Sequence, residues 1–379
     1  MLHALHAMRA VAALMVFASH YEQAVFRREL IAGTMDSGTF HYGFFLRAGT
    51  FGVALFFLIS GFIMVYTSRR EGLSAGQFAV KRVLRIFPVY WVCLLLHGVL
   101  VASPDFMSTV AGSSVLLPLQ NSAPPGYGFS TLAMAWTLTY EMVFYAYFAL
   151  AIRLGRSRPG TGFVVFVLLA VGVLALQLSF AGQPTLDPQA SPIIGGEGRL
   201  AALASLLANP LLLLFGLGAL VGEGFMAWSD YPRRHPARRI APWFGLAMLL
   251  ASPLLYFLMP PQHGLFGSAT PALAIFLAAV SADLSDIRID SAMVHALGHW
   301  SYAIYLIHIP VIQSVERFAP DFWARHYNIL AVAGLTLAVL GVAAALHRWV
   351  ERPGIRLGKR LAKIGSGPPP SPDGGTVRA

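Results

Sequence analysis

An arginine and a histidine share one face of the first apolar segment. Arg9 and His20 are eleven residues apart, so on a helix their side chains lie within about 20° of each other and roughly 16 Å apart along the axis. Ionisable groups inside an apolar span cost free energy and are candidates for function. A neutral imidazole can accept a proton, which makes His20 a candidate general base with Arg9 at the membrane edge. The structural alternative is that His20 hydrogen-bonds a neighbouring helix and Arg9 extends to the interface.

A carboxylate lies in the apolar stretch 136–145. Glu141 needs a partner in such surroundings, either His20 or an arginine, and Tyr145 follows one turn later on the same face. We interpret Glu141 and Tyr145 as candidate catalytic residues. The alternative is an ion pair that only holds helices together.

Two further groups have helical spacing. Arg82 and Arg85 are one turn apart at the start of an apolar run, and two guanidinium groups on one face suit a phosphate. The alternative is ordinary anchoring by basic residues at the membrane edge. Tyr302, Tyr305 and His308 recur every three residues, which gives a polar stripe for a substrate or, alternatively, an interfacial aromatic belt.

Several other chemistries lack their motifs. His295 and His299 have a spacing that can bind zinc, but no glutamate follows His295 as the metalloprotease helix requires, and we expect no metal site. The sequence has no P-loop, no glycine-rich dinucleotide motif and no nucleophile elbow. ATP-driven transport and serine hydrolase chemistry are therefore disfavoured.

The composition indicates which elements position these residues. Of the 379 residues, 56% are hydrophobic and 12% are charged, about half of the roughly 25% that is usual in soluble domains. So apolar a chain is neither disordered nor a single soluble globule. Cys93 is the only cysteine, which excludes a disulfide scaffold. What remains is a polytopic membrane protein.

Apolar runs long enough to cross a bilayer recur along the chain. They predict an all-α bundle of about ten transmembrane helices, with the first span retained and not cleaved as a signal peptide. The predicted spans are 5–25, 43–67, 84–103, 132–152, 162–181, 200–222, 240–258, 265–283, 300–317 and 327–347.

The basic residues orient this bundle. If the N-terminus is cytoplasmic, the inner segments hold 21 of the 27 Lys and Arg residues, as the positive-inside rule expects. We therefore predict a multi-pass membrane protein with both termini in the cytoplasm and long outer loops at 103–131 and 181–199. The transmembrane domain is predicted over 1–350 and a tail over 351–379, disordered from about 364. The net charge of +10 is then explained by topology, without nucleic acid as a partner.

The motifs together resemble those of the acyltransferase-3 family, ten-helix bacterial membrane acyltransferases that modify surface and exported saccharides. The resemblance runs over nearly the whole chain, with one departure: the family's opening Asp is replaced by His3 or His6. The matching elements, in chain order, are Arg9 with His20, the Phe-Phe-x-x-Ser-Gly-Phe stretch that contains Ser60, Arg82 with Arg85, Trp136 to Glu141 followed by Tyr145, Ser301 to His308, and Glu351-Arg352-Pro353.

The resemblance implies an O-acyltransferase that moves an acyl group, with acetyl as the first expectation, from cytoplasmic acyl-CoA to a hydroxyl of a saccharide or glycoconjugate. Acyl-CoA is then a donor co-substrate, and no cofactor is bound tightly. Arg9, Arg82 and Arg85 are expected to bind the donor phosphates. No fused periplasmic esterase-like domain is expected, so any second carrier is a separate protein.

In the implied mechanism His20 is the general base or a transient acyl carrier, and Glu141 orients it. Tyr145 is the third catalytic candidate. The expected substrate-binding residues are Ser60, Tyr302, Tyr305 and His308. Two other classes stay open: a transporter or flippase for a lipid-linked saccharide, and a structural membrane subunit. The acceptor, the acyl chain and the oligomeric state are left open.

Overall fold

The computed structural model describes residues 2–26, 40–101, 106–128, 131–155, 159–229, 236–325 and 329–364, and in these ranges there are helices and no strands. The all-α prediction is confirmed. The α-helices are α1 (His3–Val25), α2 (Phe40–Glu71), α3 (Ala75–Val101), α4 (Phe106–Ser113), α5 (Ala135–Gly155), α6 (Thr161–Ala181), α7 (Arg199–Leu207), α8 (Leu212–Ser229), α9 (Pro236–Leu258), α10 (Ala269–Leu284), α11 (Ala292–Phe318), α12 (Phe322–Arg325), α13 (Ile329–Leu346) and α14 (Arg352–Ile364).

Six described helical segments are long and apolar enough to cross a membrane. Helices α1, α5 and α11, which carry most of the predicted site residues, do not meet that criterion, and α10 is a shorter apolar helix. Ten spans therefore stay a prediction. The six segments are Arg47–Glu71, Ala75–Val101, Thr161–Ala181, Leu212–Ser229, Arg238–Leu258 and Ile329–Ile364.

One predicted span is wrong as a single helix. The run 200–222 is divided into α7 and α8 by a turn at Asn209 and Pro210. Proline has no backbone N–H with which to continue a helix. The Asn209 side chain accepts from the Leu211 N–H at 3.0 Å and donates to the Pro188 carbonyl at 3.0 Å, which stabilises the break.

Helix α2 lies at the centre of the bundle, packed against α1 and α8. Glycines permit the close contacts. A Cβ atom on Gly61 would lie 2.0 Å from the Phe215 carbonyl oxygen of α8, and one on Gly52 would lie 2.7 Å from the Ala12 carbonyl oxygen of α1. Small residues at helix interfaces let backbones approach in this way. The packing holds Ser60 against the neighbouring helices.

The C-terminal half completes the site. Helix α11 packs against α1, α3 and α13, and α13 continues through a short π-helix, His347–Glu351, into α14. Helix α14 packs against α3 and occupies the first part of the predicted tail. The predicted disorder beyond it concerns residues 365–379, which lie outside the described residues.

Candidate active site

A cavity of about 740 Å³, counted to its open mouth, lies between α1, α2, α3, α5, α8 and α11. It brings together residues that are far apart in sequence, because each of these six helices contributes side chains to its wall. Eight of the ten predicted site residues line it: Arg9, Ser60, Arg82, Arg85, Glu141, Tyr145, Tyr302 and Tyr305. His20 and His308 lie outside this lining.

Three arginines line the cavity together with a single carboxylate, that of Glu141. Arg82 is 7% exposed and stacks near the ring of Tyr145, with 5.9 Å from its guanidinium carbon to the ring centroid. It donates to the Thr67 hydroxyl at 3.3 Å, whereas its buried Nε has no partner among the described residues. Buried donors are normally satisfied, so this donor is available to a ligand.

Arg9 and Arg85 add to the positive charge. The Arg9 guanidinium has Glu351 and Glu141 as nearby anions. Arg85 is 4.0 Å from Glu351, whose carboxylate is buried and also bonds His347 at 2.8 Å. Two like charges held beside one carboxylate favour an added anion. Sequence reasoning assigned no role to Glu351, although its motif was recognised.

Glu141 is bound by hydroxyl groups and not by an imidazole. Its carboxylate accepts a hydrogen bond from Ser60 at 2.8 Å and a second from Tyr145. The predicted pairing of Glu141 with His20 is therefore wrong for this structure. These two hydroxyl donors fix the orientation of the carboxylate, which lines the cavity together with the three arginines.

The other part of the cavity is apolar. Phe56 packs edge-on against Tyr305, with ring centroids 5.4 Å apart, and Phe57 stacks on Phe215 at 4.2 Å. The Tyr305 hydroxyl lies 2.6 Å from that of Thr137. These aromatic rings form one wall of the cavity. Thr137 belongs to the Trp136 motif, and sequence reasoning assigned it no role.

Tyr302 has a structural contact in addition to lining the cavity. Its hydroxyl donates to the Ile86 carbonyl oxygen at 2.9 Å, which joins α11 to α3. In this conformation its proton is used by the backbone and is not directed at a substrate. Tyr302 is thus positioned to set the distance between the two helices.

His20 and His308 form a pair beyond the aromatic wall. Nε2 of His308 lies 3.3 Å from Nδ1 of His20, and the ring of Tyr305 lies 6.1 Å from that of His308. His308 is fully buried. It therefore contacts the predicted base and a residue of the cavity wall, without lining the cavity as predicted for substrate binding.

The backbone contacts assign the protons of this pair. Nδ1 of His20 is 2.8 Å from the Val16 carbonyl oxygen, and Nδ1 of His308 is 3.1 Å from that of Ile304. A carbonyl only accepts, so each neutral ring carries its proton on Nδ1. Nε2 of His308 then accepts from His20. Nε2 of His20 keeps its lone pair, as a general base requires.

A second group of histidines lies where α1 packs against α11. The His6 ring lies 5.8 Å from that of His295 and 4.4 Å from that of His299. Among the described residues no group of three or more histidine, cysteine or acidic side chains has the geometry to hold a metal ion. His6 also approaches the His295 carbonyl oxygen at 3.1 Å, so it joins α1 to α11.

Three curated proteins are similar to the chain. Acyltransferase MdmB from Streptomyces mycarofaciens is 28% identical over 98% of this chain and 96% of its own length. Exopolysaccharide production protein ExoZ from Rhizobium meliloti is 28% identical over 84% of this chain and 93% of its own. Nodulation protein 10 from Rhizobium leguminosarum is 25% identical over 81% of this chain and 82% of its own. No solved structure matches.

The stretch of sequence that matches a protein family includes more of the cavity-lining helices than any single motif does. A sequence profile described as an acyltransferase domain matches residues 2–348, from the start of α1 to the end of α13. It thus includes every helix that lines the cavity as well as the His20–His308 pair. The chain belongs to this acyltransferase family and is an enzyme that transfers acyl groups.

Proposed function

We propose that this acyltransferase takes its acyl group, acetyl being the first expectation, from acyl-CoA and transfers it to a hydroxyl of a saccharide or glycoconjugate. The observation that supports the donor is the excess of positive charge in the cavity, with an unused donor on buried Arg82. The names of two relatives, one for exopolysaccharide production and one for nodulation, support an exported saccharide as the acceptor.

The donor fits the cavity by charge and shape. Coenzyme A carries several phosphate charges at one end of a long, thin arm that ends in the thioester. Guanidinium groups bind phosphate oxygens with charge-assisted, bidentate hydrogen bonds, so Arg9, Arg82 and Arg85 receive the phosphates. The apolar walls around Phe56 and Phe215 suit the arm and a short acyl group.

The acyl transfer itself is assigned to His20. Its Nε2 removes the proton from the acceptor hydroxyl as the oxygen attacks the thioester carbonyl carbon. The carbon–sulfur bond then breaks, and the imidazolium returns the proton to the departing sulfur, which leaves as the thiol of coenzyme A. His308 holds the His20 ring in the required tautomer through the 3.3 Å contact. Glu141 acts at the donor, because its hydrogen bonds to Ser60 and Tyr145 hold its carboxylate in the arginine-lined cavity and not beside His20.

The location of the enzyme is part of the same proposal. We place it in the bacterial inner membrane with both termini in the cytoplasm, because the basic residues concentrate in the segments that this topology puts inside. Arg82 and Arg85 lie in the first half of α3, which begins on that side. Acyl-CoA then enters from the cytoplasm, and the saccharide approaches His20 from the opposite face.

Transfer of label from acetyl-CoA tests the proposal directly. Purified protein in liposomes is incubated with radiolabelled acetyl-CoA and a glycan fraction, and label in the glycan is counted. We expect transfer by the native chain, loss of transfer in His20→Ala, and an increased acyl-CoA requirement in Arg82→Ala with unchanged dependence on the acceptor.

Control variants separate chemistry from stability. His97 is buried in a helix and belongs neither to the His20–His308 pair nor to the cavity lining, so His97→Ala is a control for His20→Ala. Each variant is compared by its thermal unfolding midpoint. If His20→Ala retains acyl transfer, His20 is not the base. If Arg82→Ala leaves the acyl-CoA requirement unchanged, Arg82 does not bind the donor phosphates.

A further inference from the structure

Helix α14 carries a concentration of positive charge at the end of the described chain. Its thirteen residues include five basic side chains and no acidic one. The basic residues recur at positions that fall on one side of a helix at about 100° per residue. They are Arg352, Arg356, Lys359, Arg360 and Lys363.

A ridge of small residues fixes the rotation of this helix. Gly354, Gly358 and Ala362 are buried, and they recur every four residues along one face. A Cβ atom on Gly354 would lie 2.4 Å from the Leu84 carbonyl oxygen, and the Gln77 amide donates to the Ala362 carbonyl oxygen at 3.0 Å. The small face is therefore committed to α3, and the other two faces point away from the bundle.

An apolar stripe lies between the small face and the basic face. Leu357 and Leu361 are 47% and 45% exposed, and Ile364 is 78% exposed. Their spacing of four and three residues places them on one side of the helix. A helix with an apolar stripe, a basic face and little other hydrophobic surface is typical of segments that lie in a membrane interface.

The length of the preceding helix places α14 beyond the hydrocarbon. The continuous helical segment Ile329–Ile364 has 36 residues, which corresponds to about 54 Å at a rise of about 1.5 Å per residue. The hydrocarbon of a bilayer is about 30 Å thick, so the last part of the segment must leave it. Trp349 lies in the π-helix directly before α14 and is 71% exposed. This position suits the aromatic belt of a membrane interface.

We propose that α14 binds the anionic headgroups of the leaflet next to which α3 begins. In this arrangement Leu357, Leu361 and Ile364 enter the boundary between headgroups and acyl chains. Arg356, Lys359 and Arg360, which are all exposed, contact the lipid phosphates. A soluble acidic partner would match the charges but would leave the apolar stripe in water. The lipid surface satisfies both faces.

This contact has a consequence for the cavity. The segment of α3 that packs against α14 includes Lys81 and Leu84, and the same turns carry Arg82 and Arg85. A lipid-bound α14 therefore supports the beginning of α3. The lipid contact itself does not depend on which acyl group or acceptor the enzyme uses.

Spin labelling of the full chain tests the proposal. Cys93 is the only cysteine and is buried, so a nitroxide can be attached at Leu361→Cys, with exposed Asp290→Cys as the water-facing control. The protein is placed in nanodiscs of phosphatidylcholine with or without phosphatidylglycerol. Collision of each label with oxygen, which concentrates in lipid, is compared with collision with a water-soluble nickel chelate.

With phosphatidylglycerol, we expect the Leu361→Cys label to collide with oxygen and to be shielded from nickel, and the Asp290→Cys label to show the reverse. The shielding is reduced without phosphatidylglycerol or in Arg356→Gln with Lys359→Gln. The pair Arg153→Gln with Arg239→Gln removes the same charge elsewhere and should leave it unchanged. Exposure of the Leu361→Cys label to nickel in all membranes would overturn the interfacial position. Shielding independent of lipid charge would overturn anion binding, and shielding that requires more than one protein per nanodisc would indicate a second copy.

Discussion

Replacement of His308 distinguishes a residue that positions the base from one that reacts. His308 accepts a hydrogen bond from Nδ1 of His20 at 3.3 Å and is fully buried. In His308→Leu a side chain of similar volume remains, while the acceptor for His20 is lost. His20 then keeps only the Val16 carbonyl oxygen as the partner of its Nδ1 proton.

The magnitude follows from this single bond. A neutral hydrogen bond contributes about 0.5–1.5 kcal/mol net, and about 1.36 kcal/mol corresponds to a tenfold change in rate. We therefore expect His308→Leu to lower kcat by roughly twofold to thirteenfold if the whole contribution is expressed in the orientation of His20. Loss of a general base costs about 10²–10⁴-fold, so His20→Ala should be far more severe.

The assay follows release of the coenzyme A thiol under saturating acceptor. KM for acyl-CoA should stay unchanged in His308→Leu, because the residue lies outside the arginine-lined cavity. His308→Gln supplies an amide oxygen in place of Nε2 and should recover most of the lost kcat. Thermal unfolding of each variant controls for disturbed packing against Phe17, whose ring is 6.2 Å from that of His308.

Two outcomes would refute the reasoning. A loss in His308→Leu as large as that in His20→Ala would mean that His308 itself exchanges a proton with the substrate. A kcat equal to that of the native enzyme would mean that the Val16 carbonyl alone orients His20. Failure of His308→Gln to recover activity, with stability unchanged, would also remove the hydrogen bond from the explanation.

Three further predictions concern stability and are each checked by thermal unfolding in detergent micelles. Gly61→Ala should destabilise the protein by about 1–3 kcal/mol, as overpacking does, because its Cβ would lie 2.0 Å from the Phe215 carbonyl oxygen; an unchanged Tm would show that α2 and α8 separate freely. Glu223→Gln should cost about 1.5–3 kcal/mol, since this carboxylate accepts from Arg69 at 2.9 Å and from two backbone amides at the start of α6; a Tm equal to that of the native chain would mean that these charge-assisted hydrogen bonds do not stabilise the bundle. Ser60→Ala removes the 2.8 Å bond to Glu141 and should also cost about 1.5–3 kcal/mol, whereas a Tm equal to that of the native chain would mean that Tyr145 alone satisfies the carboxylate.

The helical periodicity of the polar residues predicted most of the cavity. Arg82 and Arg85 were placed on one face by a spacing of three residues, and Glu141 and Tyr145 by a spacing of four. Both pairs line the cavity. A polar residue in an apolar helix must face the bundle interior, so spacing within a helix is enough to select the face.

Contacts between helices could not be predicted in the same way. Glu141 was expected beside His20, yet it bonds Ser60 and Tyr145, and His20 bonds His308. Spacing along one helix fixes direction around its axis but not the depth at which two helices meet. That depth is set by the glycines of α2 and by the break at Asn209, neither of which alters hydropathy.

The separation of His20 from the arginine-lined cavity has a consequence for the proposed reaction. Tyr305 lies between them, with its hydroxyl 2.6 Å from that of Thr137, and its edge-on contact with Phe56 closes the wall. If acyl-CoA binds at the arginines, these two rings stand between its thioester and His20. Such a barrier limits wasteful hydrolysis of the donor, because water activated by His20 cannot reach the carbonyl. In the proposed reaction these rings must therefore move before the thioester and His20 can meet.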